Sequence, residues 1–145
     1  MSADVQSIKE LHRGIIEDKT QEELDALLWE AVLAYQGQPL HTLSGLEFSY
    51  TVKHKKNGEY SGELLVSRKE TSKTLTRSSV LLAFHKVLEA TEVISEGGEA
   101  SFQLPTYRGP KAIGQIFGIS YIFSLFLEFG LIRVSENGRR RKTQK

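Results

Sequence analysis

The side chains best suited to chemistry in this chain are cations and histidines. Near the C-terminus lie Arg133, Arg139, Arg140, Arg141 and Lys142, and Arg108 and Lys111 precede the most apolar stretch of the sequence. Closely spaced guanidinium and ammonium groups neutralise phosphates, and the binding they give is electrostatic and weakens steeply with salt. The four histidines, His12, His41, His54 and His85, fall in different segments, and no spacing joins any of them to a carboxylate pair or a nucleophile. His85 has Glu89 one turn on but no third ligand nearby, so it reads as a structural histidine. The phosphate-loop, zinc-protease and nucleophile-elbow signatures are absent, and no cofactor is implied. A non-enzymatic role is therefore expected.

Charge sharpens this reading. Residues 1–50 hold 3 basic and 9 acidic residues, net −6, and residues 51–145 hold 16 basic and 9 acidic, net +7. A near-neutral total of +1 thus conceals an acidic first third and a basic remainder. Such asymmetry marks an anionic partner, two parts that attract each other within the fold, or charges that are merely solvated.

The 145 residues suffice for one domain with a real core, comprising a helical and hairpin part over 1–72 and a second part over 73–145. There is no cysteine, and MSADVQSIKE lacks the apolar run of a secretory leader, so a cytoplasmic protein is expected.

The elements that must position the cations follow from periodicity. Val5, Ile8, Leu11 and Ile15 form one helical stripe. Thr20 and Glu23 have the spacing of a capping box, and Leu24, Leu27, Leu28, Ala31 and Tyr35 continue that second helix until Gly37 and Pro39. Trp29 lies off the stripe and widens its buried face. Phe48, Tyr50 and Val52 alternate, as do Tyr60, Leu64 and Val66, so residues 46–66 read as a β-hairpin about Asn57-Gly58. A three-residue loop sets Tyr50 opposite Leu64 and Phe48 opposite Val66 and keeps the apolar faces matched. The next six residues, SRKETS, read as a polar connector. Thr76 then caps a third helix, with Leu75 and Val80 as its hydrophobic staple. Residues 100–104 suggest a short strand.

Between Pro110 and Val134 lies the apolar block. Proline at a first helical position predicts a short helix containing Ala112, Ile113, Ile116 and Phe117. Gly118-Ile119-Ser120 predicts a turn, Ser120 a cap, and residues 121–129 a further helix ended by Gly130. Residues 131–135 alternate as a strand, and Glu136-Asn137-Gly138 predicts a hairpin returning through Arg139. A membrane span is disfavoured, because one needs about 20 apolar residues and this run carries Gln115, Glu128 and three glycines.

From Thr76 onward the order is helix, short strand, helix, tight turn, helix and basic hairpin, which resembles a winged helix-turn-helix domain. Gly118 stands at the turn glycine, Gly114 at the small residue four positions earlier, and Ile113, Ile119 and Leu127 at apolar packing positions. Gly130-Leu131-Ile132 leads to the wing and Asn137-Gly138 forms its tip. The resemblance implies an α+β fold with N-terminal helices and a β-hairpin ahead of a winged-helix-like core. It also implies a DNA-binding regulator of transcription, working through Arg108, Lys111, Arg133, Arg139, Arg140, Arg141 and Lys142. The helix that would read bases offers Tyr121, Ile122, Leu125 and Phe126, which carry no base-reading pattern, so contact with backbone phosphates is expected instead. Those four side chains suit a second reading, a homodimer or protein-protein module that uses the apolar helix as its contact surface.

Overall fold

The computed structural model describes residues 3–54, 56–58 and 60–135. The fold is α+β, with an antiparallel four-stranded sheet, two small strand pairs and four α-helices among the described residues. It forms two compact units, one from the described parts of Met1–Gln36 and Thr91–Gln103, the other from those of Gly37–Ala90 and Leu104–Lys145.

In the first unit, α1 (Ala3–Ile16) and α2 (Gln21–Ala34) pack together. Leu24, Leu28, Trp29, Ala31 and Val32 are buried, so the second stripe and its widening by Trp29 are as the sequence implies, whereas only Leu11 and Ile15 of the first stripe are buried, Ile8 being half-buried and Val5 exposed. The capping box forms in full: Thr20 Oγ1 accepts from the Glu23 N–H, and the Glu23 carboxylate accepts from the Thr20 N–H at 3.1 Å. At Gly14 the helices meet closely, since a Cβ there would lie 2.6 Å from Leu27 Cδ1. The predicted strand near residue 100 becomes half of a hairpin, β5 (Glu92–Glu96) with β6 (Glu99–Gln103), as numbered along the whole chain. Its two-residue turn, Gly97-Gly98, has φ of 57° and 85°, the positive pair that a tight hairpin turn demands. Phe102 fixes this ribbon to α1 by setting its ring edge against His12 at 5.2 Å.

The second unit is built on the sheet β1 (Leu40–His41), β2 (Glu47–His54), β3 (Tyr60–Ser67) and β4 (Ser72–Thr76), in that spatial order. Near the tip His54 faces Tyr60, the register of a three-residue loop, but further on Tyr50 faces Val66 and Val52 faces Leu64. The expected pairing is thus displaced by two residues. The cause is an irregularity after Lys53 and His54, where Ser61 and Gly62 are extra on β3 and Gly62 takes φ 82°. A two-residue displacement conserves side-chain parity, so Phe48, Tyr50, Leu64 and Val66 still share the buried face. Most of the supposed connector is outside regular structure, but its last residue, Ser72, opens an edge strand that the polar sequence conceals.

Helix α3 (Arg77–Glu89) starts as predicted, with Thr76 Oγ1 accepting from the Ser79 N–H. The expected helix through Ile113 and Phe117 does not form. A single 3-10 turn, Pro110–Ala112, stands there instead, and the following residues are irregular, with Gly114 weakening any continuation. Ser120 is not the cap of the last helix; α4 (Ile119–Glu128) starts after Gly118, which takes φ 76°. The helix ends in a Schellman motif, with Leu131 N–H donating to Phe126 O and Gly130 N–H to Leu127 O. The expected strand over 131–135 shortens to β8 (Arg133–Val134), which pairs in parallel with β7 (Thr106–Tyr107). Its proposed hairpin partner after Arg139 lies outside the described residues. The core of this unit joins sheet to helices: the Phe48 and Tyr121 rings meet at 4.9 Å and those of Phe84 and Phe126 at 6.3 Å.

Candidate nucleic-acid interface

Of the seven cations singled out by sequence, three are described. Arg108, Lys111 and Arg133 are all exposed, whereas Arg139, Arg140, Arg141 and Lys142 lie outside the described residues. Arg108 and Lys111 line one shallow cleft of about 450 Å3, together with Gly109, Pro110, Ile119 and Ser120. Pro110 starts the 3-10 turn between the two cations, with Ala112 N–H bonded to Gly109 O and Ile113 N–H to Pro110 O. The same cleft reaches the first turn of α4, where the helix dipole adds partial positive charge.

Arg133 arrives from the other end of α4. The parallel register sets it opposite Thr106, two residues before Arg108, and its N–H donates to Pro105 O. Ser135 N–H donates to Tyr107 O, so the chain passes to residues 136–145 from beside Arg108. Partial burial raises the Tyr107 phenol above its ordinary range and keeps it protonated at neutral pH. No carboxylate among the described residues pairs with Arg108, Lys111 or Arg133, whereas Lys19 meets Glu17 and Lys53 meets Glu63.

The apolar helix is placed differently from its expected role as a contact surface. Tyr121, Ile122, Leu125 and Phe126 are 9%, 0%, 2% and 0% exposed within the chain itself. Their side chains complete the core, so α4 presents neither a base-reading face nor an apolar docking face through these positions. Its Ser124, where an apolar residue would be usual, resolves its own polarity by donating to Ser120 O at 3.2 Å.

Two further cations, Arg68 and Lys73, line a neighbouring cleft of about 470 Å3 that shares Pro110, Ile119 and Ser120 with the first. Neither stood out in the sequence, because both fall in or beside a stretch that reads as connector. The available signal was parity: Lys73 precedes Leu75 by two, which on a strand puts both on one face.

The three histidines whose side chains are described have separate neighbours. His12 packs on Phe102, His41 meets Glu47 at 3.7 Å, and His85 lies beside the Phe84 ring. Among the described residues no group of three His, Asp or Glu side chains could hold a metal, and no helix is long and apolar enough to cross a membrane. Comparison with family models, with characterised proteins and with solved structures finds no match to this chain.

Proposed function

We propose that this protein is a DNA-binding regulator that holds its target through backbone phosphates. The observation that carries the reading is the shared cleft of Arg108 and Lys111 at the start of α4, with Arg133 paired opposite Thr106, two residues before Arg108, and no carboxylate among the described residues paired with any of them. Arg139, Arg140, Arg141 and Lys142 follow within nine residues of Arg133 in sequence. Burial of Tyr121, Ile122, Leu125 and Phe126 removes α4 as a groove reader, so affinity rests on charge rather than on base edges.

Fluorescence anisotropy with labelled duplex DNA across a salt series tests this. Engagement of all seven cations gives a log-log slope of about −6, at about −0.9 for each phosphate neutralised. Arg108→Ala or Lys111→Ala lowers the slope by about one unit and weakens all duplexes alike. Absence of saturable binding at low salt, or binding indifferent to charge reversal at Arg108, Lys111 and Arg133, overturns the proposal.

A further inference from the structure

The larger cleft of the second unit has a composition that core packing does not require. Val66 faces Lys73 across β3 and β4, and Leu64 faces Leu75. Paired residues point to the same side of a sheet, so Lys73 extends from the face on which Val66 and Leu75 are buried. Arg68, two residues beyond Val66, joins it at the cleft. Its Nε and Nη2 donate to Thr71 Oγ1 at 3.1 and 3.0 Å, which orients the guanidinium while leaving Nη1 unused. Among the described residues no Asp or Glu lines this cleft. Arg68 and Lys73 therefore border a cavity with no described carboxylate in its lining.

The rim is apolar. Phe117 is 68% exposed and Leu46 42%, and both border the cleft. Phe117 is presented by the loop ending at Gly118, which lies so close to β4 that a Cβ on Gly118 would meet Leu75 Cδ1. An exposed aromatic residue and two cations thus line the same cleft. Thr42, Ser44 and Ser120 also border the cleft, with the Thr42 and Ser44 hydroxyls 2.9 Å apart.

We infer that this cleft is a binding site for a small ring-bearing monophosphate, the chemistry of a nucleoside monophosphate. A phosphate dianion meets the oriented guanidinium of Arg68 and the point charge of Lys73. A planar ring stacks on Phe117, which gains contact area that it lacks in the free protein. The cleft volume falls in the range of about 300–1,000 Å3 usual for small-molecule sites. The cations of the duplex contact proposed above, Arg108 and Lys111, do not line this cleft, although the two clefts share Pro110, Ile119 and Ser120. The same group could come from free nucleotide or from the phosphorylated end of a strand.

Amide-resolved NMR titration of the full chain decides the matter, using the four common nucleoside 5′-monophosphates, adenosine, inorganic phosphate and a 5′-phosphorylated tetranucleotide. At least one monophosphate shifts the Lys73, Phe117 and Ser120 amides, and binds more tightly than adenosine or inorganic phosphate. Arg68→Gln and Lys73→Gln each weaken it about tenfold or more. Phe117→Ser weakens the monophosphate but leaves inorganic phosphate unchanged, and Arg108→Ala changes neither. Tetranucleotide binding as tight as the monophosphate assigns the site to a strand end, and weaker binding assigns it to free nucleotide; either is a positive result. No amide shifts at millimolar ligand, or binding that survives Arg68→Gln with Lys73→Gln in a variant whose circular dichroism is unchanged, overturns the inference.

Discussion

Gly118→Ala tests how α4 is seated. Gly118 carries φ 76°, and a Cβ built on it would lie in contact with Leu75 Cδ1, while Leu75 is buried in β4. Two costs add. Holding a non-glycine residue in the left-handed region costs about 1–2 kcal/mol, and overpacking against a fixed core side chain costs about 1–3 kcal/mol. The variant should lose about 2–5 kcal/mol in urea denaturation followed by far-ultraviolet circular dichroism. Gly37→Ala is the control: its φ is 81° but nothing lies within 4 Å of the added methyl, so only the first cost applies. A cycle with Leu75→Ala isolates the second cost. That truncation alone costs about 2–5 kcal/mol through the cavity it leaves, yet it makes room for the new Cβ, so the double variant should be more stable than the sum predicts by about 1–3 kcal/mol. Equal losses for Gly118→Ala and Gly37→Ala, together with additivity in the cycle, would refute the close approach of loop and strand.

Phe126→Asp places a carboxylate where the side chain has no exposure and faces the Phe84 ring. The expected loss exceeds about 4 kcal/mol, and the cooperative urea transition of the second unit should be abolished; a folded variant with only its oligomeric state altered would show that α4 is a contact surface after all. Glu23 is a pH probe. Its carboxylate accepts from the Thr20 backbone N–H and from the Thr20 hydroxyl, which lowers its pKa, so the stabilisation is present above the unfolded pKa and is lost as pH falls through the folded one. Glu23→Gln should therefore flatten the acid limb of the stability profile, and thermal melts of both proteins over the acid range that show the same slope would contradict the assignment.

Local signals with local partners were legible in the sequence. Thr20 with Glu23, Thr76 before α3, and Gly130 after α4 each specify a helix end through hydrogen bonds made within a few residues, and each forms as read. The hairpin was legible in its faces but not in its register, because the displacement arises at Gly62, whose positive φ has no signature apart from the residue type. Strand β4 escaped notice because an edge strand buries little: only Leu75 of its five residues is buried. The short helix expected after Pro110 failed for the opposite reason. A good start was read there, but Gly114 and Gly118 deny the propagation a short helix needs. Arg108 and Lys111 could be paired from their spacing, whereas Arg68 and Lys73 come together only through the β3 and β4 register.

Where the cations fall is a consequence of how the apolar stretch closes on itself. Two strands that run parallel cannot be joined by a tight turn; they need a crossover of a dozen or more residues. Here residues 108–132 supply it, carrying the 3-10 turn and α4 between Thr106–Tyr107 and Arg133–Val134. Burial of α4 drives the crossover shut, since its apolar side chains gain most when both ends of the helix return to the body of the unit. The left-handed Gly118 turns the chain into the helix, and the Schellman bonds at Gly130 turn it out toward β7. Arg133 is thereby set opposite Thr106, two residues before Arg108, although the two arginines are 25 positions apart in sequence. The buried helix and the exposed cations are thus linked through one crossover: α4 packs into the core, and Arg108 and Lys111 before it and Arg133 after it stay exposed.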